Sequence, residues 1–115
     1  MASGAGLYYH LAEIETAARW GINSVTIVND NSGGNQSKRG FDRAYGGAAT
    51  PTSRRMWTYN DVDLARVATD MGALGIRVDK PGDLRPSLER ALAAGRPAVI
   101  DVRTDIDVTA PLAVT

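Results

Sequence analysis

Ser24-Val25-Thr26-Ile27-Val28-Asn29-Asp30-Asn31-Ser32-Gly33-Gly34 decides how this chain is read. Val25, Thr26, Ile27 and Val28 favour an extended backbone, and the run stops abruptly in small polar residues. That pattern predicts a buried parallel strand whose carboxyl end opens into a loop. In open α/β sheets, ligands bind beyond that end of the strands. The loop from Asn29 to Gly34 offers amide and carboxylate oxygens together with glycines. Such a set suits a hard cation and the phosphates that it neutralises. The competing reading is a polar turn that merely ends a strand.

Upstream, Leu7, Leu11, Ile14 and Ala18 recur at the spacing of one helical face. They predict a helix from about Tyr8 to Trp20, stopped by Gly21. Trp20 is expected to pack against a neighbour. His10 is the single histidine and reads as a surface or interface residue, because no Cys, Asp or His cluster accompanies it. Glu13 and Glu15 read as helix charges and not as acids with a chemical role.

Downstream, Ser32 to Tyr59 shows little periodicity and is read as a long mobile loop over 32–59. Lys38, Arg39, Arg43, Arg54 and Arg55 lie in it, interleaved with Phe41, Tyr45 and Trp57. A solvated excursion and a segment ordered over a ligand or partner are both open readings. A second helix begins at Asn60 or Asp61, with Asn60 as cap and Asp61 and Asp63 as first-turn charges. Leu64, Val67, Ala68 and Met71 form its buried stripe, and Gly72 ends it. Gly75 to Val78 is a short strand. Asp83 caps a third helix that carries Pro86 at its third position and closes at Gly95. Pro97 to Val102 is the last strand, apolar enough to be covered on both faces. The tail from Thr104 to Thr115, with Pro111, is expected to wrap over the surface or a partner.

The order of helices and strands predicts an α/β fold, a parallel sheet of about three strands with right-handed crossover helices. A chain of 115 residues is at most one domain, here read as a single partial one over 1–115. Thirteen basic and thirteen acidic residues leave no net charge, so there is no electrostatic footprint for nucleic acid. The absence of cysteine excludes disulfides, thiolate metal sites and thiol nucleophiles. Met1 to Gly6 lacks the regions of a signal peptide, and no apolar run is long enough to span a bilayer, so the chain is expected to be cytoplasmic. No G-x-G-x-x-G or Walker loop is present, which sets a generic nucleotide-binding fragment aside.

Taken together, Glu13, Thr16, Ala17 and Arg19 on the helix, the strand ending at Asp30-Asn31, and Asp63-Leu64-Ala65 form an ordered set. Met71-Gly72, Gly75 to Val78 and Gly95 to Val102 extend it. The set resembles the cofactor-binding half of thiamine-diphosphate-dependent enzymes, the acetolactate synthase and benzoylformate decarboxylase group, over nearly the whole chain. In that family a G-D-G triplet opens the helix and a pair of asparagines ends the strand. The strand that precedes the triplet is missing here, since Met1 falls almost on it; the resemblance therefore implies a truncated domain with a borrowed or exposed edge.

The resemblance implies thiamine diphosphate held through Mg²⁺, with Gly4, Ala5, Gly6, Asn31, Ser32, Gly33 and Gly34 lining the cofactor end. The family's metal ligands are the triplet Asp, the second Asn and a backbone carbonyl two residues on. They map to Gly4 (or Ala5, one register away), Asn31 and Gly33. Neither Gly4 nor Ala5 has a side-chain oxygen, so weak cation affinity is expected. Asp30, in the place of the first Asn, is the candidate substitute ligand, although strand alternation aims it away from Asn31. The resemblance further implies decarboxylation or carboligation of a 2-oxo acid, with a glutamate supplied by a separate pyrimidine-binding domain across a subunit interface. That domain is absent from this sequence, so a homo-oligomer or partner chain is expected. The alternative is a non-catalytic remnant that serves as an interaction or structural module.

Overall fold

The computed structural model describes residues 2–108. Strands β1 (Ala2–Ser3), β2 (Val25–Asp30), β3 (Leu74–Val78) and β4 (Ala98–Arg103) form one sheet in the order β1-β2-β4-β3. Every pairing is parallel. Three strands are full length, as expected. The strand thought to be missing before the first helix is represented by the two residues of β1, which pair with Val28 and Asn29. On that side, Val25 to Ile27 have no strand partner among the described residues.

The helices are α1 (Gly4–Tyr8), α2 (Ala12–Trp20), α3 (Asn35–Ala44), α4 (Pro51–Trp57), α5 (Leu64–Asp70) and α6 (Leu84–Leu92). Apolar side chains bury both faces of the sheet. One core joins Leu7, Ile14, Val28, Leu64, Ala68, Ala73 and Val99; the other joins Ile76, Val78, Ala91, Ala98 and Ile100. Alternation along β4 sends Val99 to the first and Ala98 and Ile100 to the second, which is why its first four residues are all buried. Helix α5 lies so close to β3 that a Cβ on Gly75 would stand 1.8 Å from the Ala65 carbonyl oxygen.

Several expectations need correction. The first helix is broken: α1 ends at Tyr8, and bonds from His10 N–H to the Leu7 carbonyl and from Glu13 N–H to the His10 carbonyl carry the chain through tight turns into α2. Gly21 does stop α2, at φ 64°, with Ile22 N–H bonded back to the Ala17 carbonyl. Trp20 packs on little and is 71% exposed. The segment from Ser32 to Tyr59 holds two helices where a loop was expected. They are invisible to periodicity because their buried side chains are Asp42, Ser53 and Trp57. Helix α5 is capped by Asp63, whose Oδ1 accepts from Arg66 N–H, and not by Asn60. The apolar periodicity of Leu84, Leu88, Ala91 and Leu92 predicts one shared face on α6, but Leu84 and Leu92 are exposed at 37% and 69%, and only Leu88 and Ala91 face the core. Of the tail, residues 109–115 with Pro111 lie outside the described residues.

Candidate functional site

The carboxyl ends of β1 and β2 lie side by side, which brings the start of α1 to the loop after Asp30. That loop is shaped by its own side chains. Asp30 Oδ1 accepts from Ser32 N–H at 2.9 Å, and Asn31 Oδ1 accepts from Gly33 N–H at 3.2 Å. These two successive Asx turns force Ser32 to φ 54°, the one positive φ at a non-glycine among the described residues. Gly33 then bridges to Thr58, with Gly34 N–H on the Trp57 carbonyl and Tyr59 N–H on the Ser32 carbonyl. A Cβ at Gly33 would meet Ile106 Cδ1 at 2.8 Å and the Trp57 carbonyl at 3.0 Å, so any side chain there requires its neighbours to give way.

A cleft of about 380 Å³ opens above this loop. Ala5 and Gly6 of α1 line it together with Asn31, Gly33, Gly34 and Tyr59. Its remaining wall includes Asn35, Gln36 and Ser37, the first turn of α3, whose N-terminus carries no side-chain cap. Free backbone N–H groups and the positive end of a helix favour an anion there. Five of the seven residues expected at a cofactor end thus share one cleft, and Gly4 and Ser32 lie beside it on the strand-end loop and α1.

Beneath the cleft, Gly4 is buried against Asp30. A Cβ at position 4 would lie 2.9 Å from Asp30 Oδ1. Strand alternation separates the two as expected: Asp30 faces position 4, while Asn31 faces the cleft with Ala5 and Gly6. The Asp30 side chain is 8% exposed, and Arg103 Nη1 meets its Oδ2 at 2.5 Å. Arg103 Nη2 also donates to Ser32 Oγ at 2.7 Å and to Asp61 Oδ1.

Over residues 2–102 the chain matches the family described as "Thiamine pyrophosphate enzyme, C-terminal TPP binding domain". It belongs to that family. The acetolactate synthase large subunit IlvG of Mycobacterium tuberculosis is 33% identical over 99 residues, which cover 86% of this chain and 17% of that protein. The chain therefore spans about a fifth of the length of the relatives that it matches. Among solved structures, the thiamine diphosphate-dependent 4-hydroxybenzoylformate decarboxylase of Rhodococcus jostii RHA1 superposes with a TM-score of 0.76 at 26% identity, covering 93% of this chain and 19% of that one. Benzoylformate decarboxylase from Polynucleobacter necessarius gives 0.77 at 16% identity, over 95% of this chain and 20% of that one, a likeness of fold.

In this thiamine-pyrophosphate-binding domain the cleft is walled by the uncapped start of α3, and the side-chain oxygens of Asp30 and Asn31 beside it are already engaged. Position 4 brings no side-chain oxygen, Asp30 is committed to Arg103 and Ser32 N–H, and the side-chain Oδ1 of Asn31 accepts from Gly33 N–H. Among the described residues no three His, Cys, Asp or Glu side chains gather to hold a metal. The residues present do not fit a divalent ion.

A second carboxylate lies close by. Asp101 of β4 is fully buried; its Oδ2 accepts from Leu64 N–H at 3.2 Å and so anchors the start of α5, while its Oδ1 has no partner among the described residues. Burial, and next the charge of Asp30, push its pKa up to about 6. Burial and Asp30 likewise raise Tyr8, whose ring stands edge-on to Tyr59 with centroids 5.9 Å apart. In the 32–59 segment Lys38 is spent on Asp42 and Asp107, whereas Arg39, Arg43, Arg54 and Arg55 are exposed. His10 is exposed.

Sequence reasoning missed Tyr9, Tyr59 and the first turn of α3 as cleft residues, and it missed Arg103. Asp30 and Arg103 are 73 positions apart but are direct partners in the register of β2 and β4. Pairing those two strands is the step that would have found them.

Proposed function

We propose that this chain is the diphosphate-holding portion of a thiamine-diphosphate-dependent enzyme that decarboxylates or ligates 2-oxo acids, in the manner of an acetolactate synthase. The observation that carries this reading is the cleft that gathers Ala5, Gly6, Asn31, Gly33 and Gly34 at the uncapped start of α3. Backbone N–H groups would take the diphosphate there, and the thiazolium ring of the bound cofactor supplies the carbon nucleophile when complete. In this reading the chain is inactive until a partner carrying the pyrimidine-binding half joins it in a cytoplasmic assembly. Large exposed apolar side chains, Tyr9 at 85% and Trp20 at 71%, support such a partner. No helix among the described residues is long and apolar enough to cross a membrane. The exposed arginines of α3 and α4 would attract an anionic 2-oxo acid. Binding of Mg²⁺ by the chain itself is weak.

One observation favours a second reading, a non-catalytic module that keeps the fold: Gly4 supplies no ligand and Asp30 is paired internally. Thermal unfolding with thiamine diphosphate, compared with unphosphorylated thiamine, separates the two. A ligand that binds only the folded chain raises its midpoint. The first reading expects a rise with the diphosphate alone. No rise with either compound supports the module.

A further inference from the structure

We propose that the Arg103 guanidinium is a built-in cation that replaces a divalent ion at this strand end, so that Asp30 recruits no metal. The inference rests on reading the loop after β2 as the diphosphate end of the site. A carboxylate as buried as that of Asp30 needs a positive partner. Arg103 supplies one through the sheet itself, because the two residues are Cα partners across β2 and β4. A fixed partner of this kind costs no ion to recruit.

The guanidinium also does the mechanical work of a coordinated ion. Its Nη1 holds Asp30 at the end of β2; its Nη2 holds Ser32 Oγ, at the residue with φ 54°, and Asp61 on the approach to α5. The turn after β2 and the approach to α5 are thereby tied to β4 at one cation, and the planar fork of arginine suits this bridging. Meanwhile position 4 is a glycine with no room for a further carboxylate, since even a Cβ would press on Asp30 Oδ1 at 2.9 Å. With Asp30 already neutralised, a diphosphate in the cleft above meets backbone N–H groups and no uncompensated carboxylate from that residue. Its binding then needs no divalent ion.

Mn²⁺ alone, followed by the loss of its free electron-paramagnetic signal, tests this on the full chain. The wild type is expected to show no saturable binding that Asp30→Asn removes. Arg103→Met frees the carboxylates of Asp30 and Asp61 and is expected to bind Mn²⁺ at least about tenfold more tightly than wild type, a gain lost again in Asp30→Asn/Arg103→Met. Saturable wild-type binding that Asp30→Asn abolishes overturns the proposal, as does a folded Arg103→Met with no gain. Should Arg103→Met fail to fold by circular dichroism, the comparison of wild type with Asp30→Asn decides alone. Because the probe is the metal without cofactor, this result is independent of whether thiamine diphosphate binds.

Discussion

Gly4 and Asp30 face each other where β1 and β2 end, and a Cβ on Gly4 would stand 2.9 Å from Asp30 Oδ1. The position where the family places a carboxylate is therefore closed by the neighbour's own. Gly4→Asp would force a second acid against a buried one that already has its cation. It is expected to lower stability by about 1–3 kcal/mol, read as an earlier urea midpoint. Adding Asp30→Asn to the same chain removes the like charge and should recover part of the loss. An unchanged midpoint in Gly4→Asp would show that position 4 points elsewhere.

Asp101 sets a pH dependence. Its folded pKa, about 6, lies above its ordinary value of 3.8, so the folded chain holds the proton more tightly than the unfolded one. The stability from this group is complete below the ordinary value, falls as pH rises towards the folded pKa, and is flat above it. Asp101→Asn keeps an acceptor for Leu64 N–H without the charge. Stability measured across this range should therefore favour Asp101→Asn over wild type increasingly as pH rises. A difference that is the same at every pH would contradict the assignment.

The hairpin of α3 and α4 depends on a polar knot. Ser53 is fully buried; its Oγ donates to Asp42 Oδ1, and its N–H and Oγ complete a capping box with Thr50. Ser53→Ala is expected to cost about 1–2 kcal/mol. Lys38, hydrogen-bonded to Asp42, holds the Asp42 carboxyl below its ordinary range, so this support is present at neutral pH and is lost as acid protonates the folded carboxylate. Amide exchange over residues 35–57 should quicken in Ser53→Ala and at low pH, while β2 and β4 keep their protection.

Gly75 controls the seating of α5 on the sheet. With a Cβ 1.8 Å from the Ala65 carbonyl oxygen, Gly75→Ala can be accommodated only by moving the helix. The expected loss is about 3 kcal/mol or more, measured by chemical denaturation. A substitution tolerated within a few tenths of that scale would mean that α5 is free to shift.

Much of the fold was legible because apolar residues announce it. β2 and β4 are rich in β-branched apolar residues, and the Gly21 stop lies where local backbone chemistry puts it; Asp83 precedes α6 but makes no side-chain capping bond. The two helices between Asn35 and Trp57 were hidden because polar groups hold them together; Thr50, Pro51 and Ser53 were the local signal available. The start of α5 was misplaced because part of its fixing comes from a distance, through Asp101 on β4. At the site, the glycines and Asn31 could be named from a motif. The role of Asp30 could not, since it depends on an arginine that only strand pairing brings near.

Under the proposed function a diphosphate sits over the loop after β2. Backbone amide chemical shifts recorded while thiamine diphosphate is added test it most directly. The amides of Gly6, Gly33, Gly34 and residues 35–37 should move together and saturate. Movement confined to the groove at the opposite end of the strands, around Glu13, Thr16, Ser24 and Ala98, would contradict the account, as would no movement at all.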